Sequence, residues 1–249
     1  MLDRSVFLRP IAHRGLHDAA RGIIENSGPA FAAAIAKGYG IECDLRPAAD
    51  GTAIVFHDEA LARLVDAPGH IADYAPSALT EFTYRSSTTR VSTLADLLAL
   101  VDGRVPILVE VKSEWAPPDQ AFMRAIAGQV ATYGGPLALM SFDPSVMTAL
   151  RQLAPNVPRG IVSGAYEGDG WWGDKVDAER AYRLTHLLDS GPVEPDFFAY
   201  YVKALPTPVT RFVREGMGLP LFAWTVRSDH DRAVAAKWAD APIFEGFEA

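Results

Sequence analysis

The feature that most constrains this chain is an alternation that persists from end to end. Short apolar runs, "PIAHRG", "YGIECDL", "TAIVFHD", "VPILVEVK", "PLALMSFD", "RGIVSG", "PDFFAYYV", "PLFAWTV" and "APIFEGF", are separated by helix-like stretches. The stretches include "SGPAFAAAIAKG", "PPDQAFMRAIAGQVATYG", "DPSVMTALRQLA", "PTPVTRFVREGMG" and "SDHDRAVAAKWAD". Strands alternating with helices of this length imply βαβ units and a parallel sheet. Roughly eight such units in about 250 residues is the size of a (β/α)8, or TIM, barrel. A doubly wound open sheet is the rival, but no GxGxxG follows the first run. The expected organisation is a single domain over residues 1–249, with an inserted segment after the His57-Asp58 strand, inside residues 58–106. Within that region Thr93 to Val101 reads as a helix capped by Ser92 or Thr93.

Strands of such a barrel are apolar, so the charged positions in the runs are informative. Glu42 and Asp44 stand two apart, as do Glu110 and Lys112, and residues two apart in a strand share a face. Two like charges on one face repel and lose hydration unless something positive lies between them. His13-Arg14 and His57-Asp58 end two further runs. In a barrel, active-site groups come from the C-terminal ends of several strands, and all four groups read as lying there. Each has a plainer alternative: Arg14 paired with Glu25 or Glu42, Glu110 and Lys112 as a strand-end salt bridge, Asp58 as a turn cap. Together they converge on one mouth.

Cys43 is the sole cysteine, which excludes an internal disulfide and a cysteine-based zinc cluster. Between Glu42 and Asp44 it faces the opposite side and reads as a small core residue. Three carboxylates with no paired histidine spacing favour a hard divalent cation, Mg²⁺ or Ca²⁺, with Mn²⁺ also open. Arg14 and Lys112 supply donors for an anionic group. A cation, two basic side chains and two histidines suit phosphate-ester cleavage, with one imidazole accepting a proton and the other donating one.

The motifs "HRG" (13–15), "EN" (25–26), "ECDLRPAADG", "VFHDEALAR", "STLADLL", "EVK", "SFDP" and "WTV" resemble those of the glycerophosphodiester phosphodiesterases, in order from residue 10 to about 226. The resemblance implies a TIM barrel with an insertion, and hydrolysis of glycerophosphodiesters to glycerol 3-phosphate and an alcohol. It implies that Glu42, Asp44 and Glu110 hold the cation, that His13 and His57 are the acid–base pair, and that Arg14 and Lys112 hold the phosphate. A glycerol hydroxyl of the substrate would attack phosphorus to give a cyclic phosphate that water opens, with no protein nucleophile. Trp224 would wall the glycerol pocket, plain core packing being the alternative, and Glu25 and Asn26 would tether Arg14 or a ligand carboxylate. His57, just ahead of the inserted segment, is favoured as the acid. Many members end the last strand with "TD"; here "IFEGFEA" offers Glu245 in its place.

Two further readings stay open: a lysophospholipase D type enzyme on lipid diesters, with Trp171-Trp172 against the acyl chain, and a non-catalytic phosphodiester-binding barrel. The Gly-rich stretch 163–178 is a candidate lid, or else packing for its tryptophans. The net charge of −8 gives no basic footprint, so nucleic acid is not an expected partner. The expected partner is a small phosphodiester. No run approaches the roughly 18 apolar residues of a membrane span, and the start lacks a signal-peptide pattern. The chain therefore reads as cytoplasmic, without stable membrane association.

Overall fold

The computed structural model describes residues 1–167, 172 and 175–249. The chain opens with α1 (Arg4–Phe7), β1 (Ile11–Ala12), α2 (Gly28–Lys37) and β2 (Gly40–Pro47). An excursion then carries β3 (Ala53–Val55), α3 (Pro76–Leu79) and β4 (Ser92–Thr93), and α4 (Leu94–Val101) leads back to β5 (Ile107–Val111). Strands and helices alternate from there: α5 (Gln120–Val130), β6 (Leu137–Ser141), α6 (Pro144–Leu153), β7 (Arg159–Ser163), α7 (Ala178–Thr185), β8 (Phe197–Tyr201) and α8 (Pro208–Arg211). The last three elements are β9 (Leu221–Val226), α9 (Asp229–Trp238) and β10 (Ala241–Phe244).

Eight strands pair in parallel in the order β1, β2, β5, β6, β7, β8, β9, β10. The ring closes because β1 pairs on both sides, Ile11 against Gly40 of β2 and against Ile243 of β10. The fold is a TIM barrel, as the alternation implied. The "APIFEGF" run is its eighth strand, in register with β1 through Ala12 and Phe244.

Period-two alternation sorts the side chains into two layers. Ile11, Leu108, Ala138, Met140, Val162 and Phe197 fill the barrel interior, with Phe7 of α1 packed into the same cluster. Ile41, Cys43, Leu45, Ile107 and Val109 point outward into the layer beneath the helices, where Phe31, Leu97, Phe122 and Met147 meet them. Cys43 is fully buried there, the core residue its position implied. Helix caps follow the sequence: Thr93 and Asp96 form a reciprocal capping box at α4, and Asp143 caps α6 through the Ser145 N–H.

The "TAIVFHD" run departs from expectation. It is β3, and it pairs antiparallel to the overhanging end of β2, Leu45 with Val55 and Pro47 with Ala53. His57 therefore follows a side strand, not a barrel strand. A short apolar run ending in polar residues reads the same in either setting, and only the pairing partner separates them. The inserted segment beyond it packs Phe56, Leu61, Ile71, Leu79 and Tyr84 into a core of its own beside β3. Burying each such aromatic contributes about 2 kcal/mol, which holds the segment against the barrel rim. Among the described residues, no helix is long and apolar enough to cross a membrane.

Candidate active site

The register of β2 against β5 sets Asp44 directly beside Glu110, with Glu42 one pleat lower on the same face. Ligand oxygens of the three carboxylates lie within 4.8 Å of one another, and all three residues are buried. Such proximity has consequences for protonation. Burial, then the charges of Asp44 and Glu110, push the Glu42 carboxyl well above the usual carboxylate range. Burial pulls Asp44 the same way, but the positive charges of Lys112, His57 and Arg14 outweigh it and hold Asp44 well below that range.

Neutralisation comes from two directions. Lys112 Nζ sits 2.7 Å from Asp44 Oδ1 and also donates to Glu110 Oε1. Arg14 reaches over the rim, its Nη1 on Glu25 Oε1 at 2.7 Å and its Nε 3.3 Å from Asp44 Oδ2. The plainer readings of both residues thus hold as geometry: Lys112 is a strand-end ion-pair member, and Arg14 pairs with Glu25. Asn26 clamps Asp44 from the other side, donating from Nδ2 to Oδ2 at 2.8 Å and accepting the Asp44 N–H. Glu25 and Asn26 therefore occupy the tethering positions assigned to them from sequence. Glu42 Oε2 accepts the Arg14 N–H at 2.9 Å, while Glu42 Oε1 is buried without a hydrogen-bond partner.

The turn that aims these groups is the "HRG" motif. Arg14 has φ 57° and Gly15 φ 78°, both in the left-handed region. A Cβ on Gly15 would lie 2.8 Å from the Ala30 carbonyl carbon, so only glycine allows α2 to pack this close.

His13 and His57 are each held at Nδ1 by a carboxylate, and both rings line the cavity at the barrel mouth. His13 Nδ1 lies 2.6 Å from Glu245 Oε2, and His57 Nδ1 lies 2.8 Å from Asp58 Oδ1. His13 Nε2 is then 3.9 Å from Glu42 Oε2. Burial lowers the His13 pKa, against the upward pull of Glu245. Burial would raise the Glu245 carboxyl, but hydrogen bonds from His13 and Arg227 carry it well below the usual value. Burial pulls Asp58 upward too, and His57 and Arg63 outweigh it, so this carboxyl is likewise depressed. Arg63 continues from Asp58 to Glu25, and so links His57 to Arg14.

A cavity of about 440 Å³ opens over this cluster, lined by His13, Arg14, His57, Glu110, Lys112 and Trp224, among others. The metal, acid–base and phosphate candidates from sequence are therefore all here, with Glu42 and Asp44 at the buried floor. Trp224 Nε1 donates to the Ser163 carbonyl at 3.0 Å, and its ring meets Phe142 and Tyr201 edge-on or tilted at 5.1 and 5.2 Å. Sequence reading missed Arg227, Arg46 and Lys175 on the cavity wall and the Arg63 link. Arg46 and Arg63 stood inside the quoted motifs "DLRP" and "ALAR", a usable signal. Trp172 packs on Tyr166 at 5.1 Å. Trp171, and with it part of the candidate lid, lies outside the described residues.

The donor set fits a hard cation. Three buried carboxylates converge, Glu42 Oε1 has no partner while Asp44 Oδ1 has only the Lys112 ion pair, and the cluster contains no nitrogen or sulfur ligand.

The chain is similar to a glycerophosphodiester phosphodiesterase from Caldanaerobacter subterraneus subsp. tengcongensis, 23% identical over 239 residues, covering 91% of this chain and 89% of that one. In fold it is similar to an Oleispira antarctica phosphodiesterase in complex with the product sn-glycerol-3-phosphate, with a TM-score of 0.72 at 18% identity over 95% and 92% of the two chains. It is also similar to the glycerophosphodiester phosphodiesterase of Thermotoga maritima, with a TM-score of 0.69 at 22% identity over 96% and 94%. The sequence model of the glycerophosphoryl diester phosphodiesterase family matches residues 13–244, and the chain belongs to that family.

Proposed function

We propose that the protein hydrolyses glycerophosphodiesters to glycerol 3-phosphate and an alcohol, using a divalent cation held by Glu42, Asp44 and Glu110. The observation that carries this reading is the joint one: a buried three-carboxylate cluster with two carboxylate-held histidines above it, in a chain of this family. When bound, the cation supplies charge that stabilises the phosphorane-like transition state. Mg²⁺, Ca²⁺ and Mn²⁺ all suit an all-carboxylate set.

The remaining chemistry belongs to the chain. Arg14 and Lys112, freed in part from the acids they now neutralise, hold the phosphate oxygens, Arg as a fork and Lys as a point charge. One imidazole takes the proton of the attacking glycerol hydroxyl at Nε2, and the other delivers a proton from Nε2 to the departing oxygen. Glu245 and Asp58 keep the Nδ1 protons in place, so each ring presents the nitrogen that works. Water then opens the cyclic phosphate with the roles reversed. His57, beside the inserted segment, is our choice for the acid. Trp224 gives the glycerol carbons an apolar wall. The expected setting is the cytoplasm, with small diesters as partners and neither nucleic acid nor a stable membrane contact involved.

Time-resolved ³¹P NMR of glycerophosphoethanolamine turnover tests the route. A cyclic glycerol phosphate resonance should rise and decay before glycerol 3-phosphate accumulates. Release of phosphoethanolamine and glycerol instead would refute the assignment of the cleaved bond.

A further inference from the structure

Beside the charged cavity lies a second one of different character. It encloses about 320 Å³ and is walled by Phe142, Tyr166, Trp172, Tyr201 and Trp224 with Arg227 at its edge. Phe142, Trp224 and Arg227 line both cavities, so the two are continuous at the mouths of β6 and β9. The rings are locked against one another: Phe142 and Tyr201 on Trp224, and Trp172 on Tyr166. A wall built from interlocked rings keeps its shape when empty, which is what a preformed subsite requires.

We propose that this aromatic cavity receives the substituent of the leaving alcohol, and that the preferred substrates are glycerophosphodiesters whose alcohol carries an uncharged alkyl or aryl group. This rests on the phosphodiesterase reading above. A diester bound at the charged cavity has two arms. The glycerol arm is small and polar and matches the charged cavity, where its hydroxyls meet ionic groups. The other arm then extends into the adjoining space, whose walls are rings.

Charge decides between an apolar arm and a cationic one. Aromatic faces attract quaternary ammonium groups, so a choline cage is the natural competitor. Among the described lining residues the one charged group is Arg227, a cation, and none is a carboxylate. Its guanidinium is engaged by Glu245 at 2.8 Å, and that carboxylate is shared with His13. Among the described lining residues a permanent cation would therefore meet an already paired guanidinium and no carboxylate. An uncharged apolar chain needs no such partner and gains from every buried methylene.

The experiment is a chain-length series on the wild-type protein: glycerophospho-methyl, -ethyl, -butyl and -hexyl esters, with glycerophosphocholine and glycerophosphoethanolamine beside them. Complete burial of each methylene raises kcat/KM about three- to fourfold. The hexyl ester should exceed the ethyl by at least about tenfold, with the choline and ethanolamine esters no better than the ethyl. In Ala165→Leu, which fills the cavity from its wall, the hexyl-to-ethyl ratio should collapse toward one. Tyr201→Ala, which enlarges it, should shift the optimum to longer chains. A flat response to chain length overturns the inference, and a choline ester that outruns the hexyl makes the cavity a cation cage instead. If no ester in the series is cleaved, the phosphodiesterase reading falls and this inference with it.

Discussion

Glu42→Gln separates the cost of the acidic cluster from its use. At the 4.8 Å that bounds the ligand oxygens, a carboxylate pair repels by about 3–4 kcal/mol at an effective dielectric near 20. Glu42 faces two such neighbours, and the smaller opposing pull of Arg14 and Lys112 does not cancel them. Burial then decides the outcome, because a charge this deep loses several kcal/mol of hydration. The raised pKa of Glu42 means that the metal-free chain already leans toward the neutral acid, and glutamine is its near-isostere. The amide oxygen of the glutamine would still accept the Arg14 N–H that Glu42 Oε2 accepts now. Metal-free Glu42→Gln should therefore melt within about 1 kcal/mol of wild type, on the stable side. Saturation is different. Wild type at 100 times Kd gains about 2.7 kcal/mol, or roughly 5–11 °C for a chain of this length, while the variant should gain almost none. Scanning calorimetry in EDTA and in excess Mg²⁺, Ca²⁺ or Mn²⁺ reads both quantities. A variant destabilised by more than about 2 kcal/mol without metal, or one that keeps the full metal-induced rise, would refute the reasoning.

Other expectations follow from the same geometry. Lys112→Met strips the ammonium from two buried acids, so it should lower the Tm of the metal-free protein and recover much of that loss when metal is added; KM for diesters should rise. An unchanged KM in the folded, metal-loaded variant would make Lys112 a structural ion-pair member only. His13→Ala and His57→Ala should each reduce turnover by roughly two to four orders of magnitude on glycerophosphoethanolamine. On a p-nitrophenyl diester, whose phenolate leaves without protonation, the acid variant, expected to be His57→Ala, should recover and the other should not. Near-wild-type rates for both variants on both esters would return the histidines to a structural role. The depressed carboxyls of Glu245 and Asp58 stabilise the fold above their ordinary values of 4.5 and 3.8. That contribution should vanish as pH falls through their lowered folded values, and Glu245→Gln should flatten the acid limb of the stability profile.

Much of this was legible in the sequence because period-two alternation survives in the barrel strands. Glu42 with Asp44, and Glu110 with Lys112, could each be placed on one face of a strand from spacing alone, while the meeting of Asp44 and Glu110 needed the register of β2 against β5. His57 with Asp58, adjacent in sequence, was legible too. What spacing could not show is pairing across the chain. Glu245 meets His13 over a separation of 232 residues, a contact that exists only because β10 closes on β1. The partner strand of "TAIVFHD" was hidden for the same reason. A three-residue strand carries no mark of whether its neighbour runs parallel or antiparallel. The aromatic cavity was hidden as well, since Phe142, Tyr166, Tyr201 and Trp224 come from four strand ends that converge only in the closed barrel.

If the carboxylate cluster holds the cation on which diester hydrolysis depends, removing that cation must stop the reaction. The most direct measurement strips the protein with EDTA, verifies the loss by elemental analysis, and follows glycerol 3-phosphate release from glycerophosphoethanolamine as Mg²⁺, Ca²⁺ or Mn²⁺ is returned. The predicted result is no turnover in the stripped protein and recovery with at least one of the three ions, a recovery that Asp44→Asn abolishes. Full turnover by the verified metal-free protein would contradict the account.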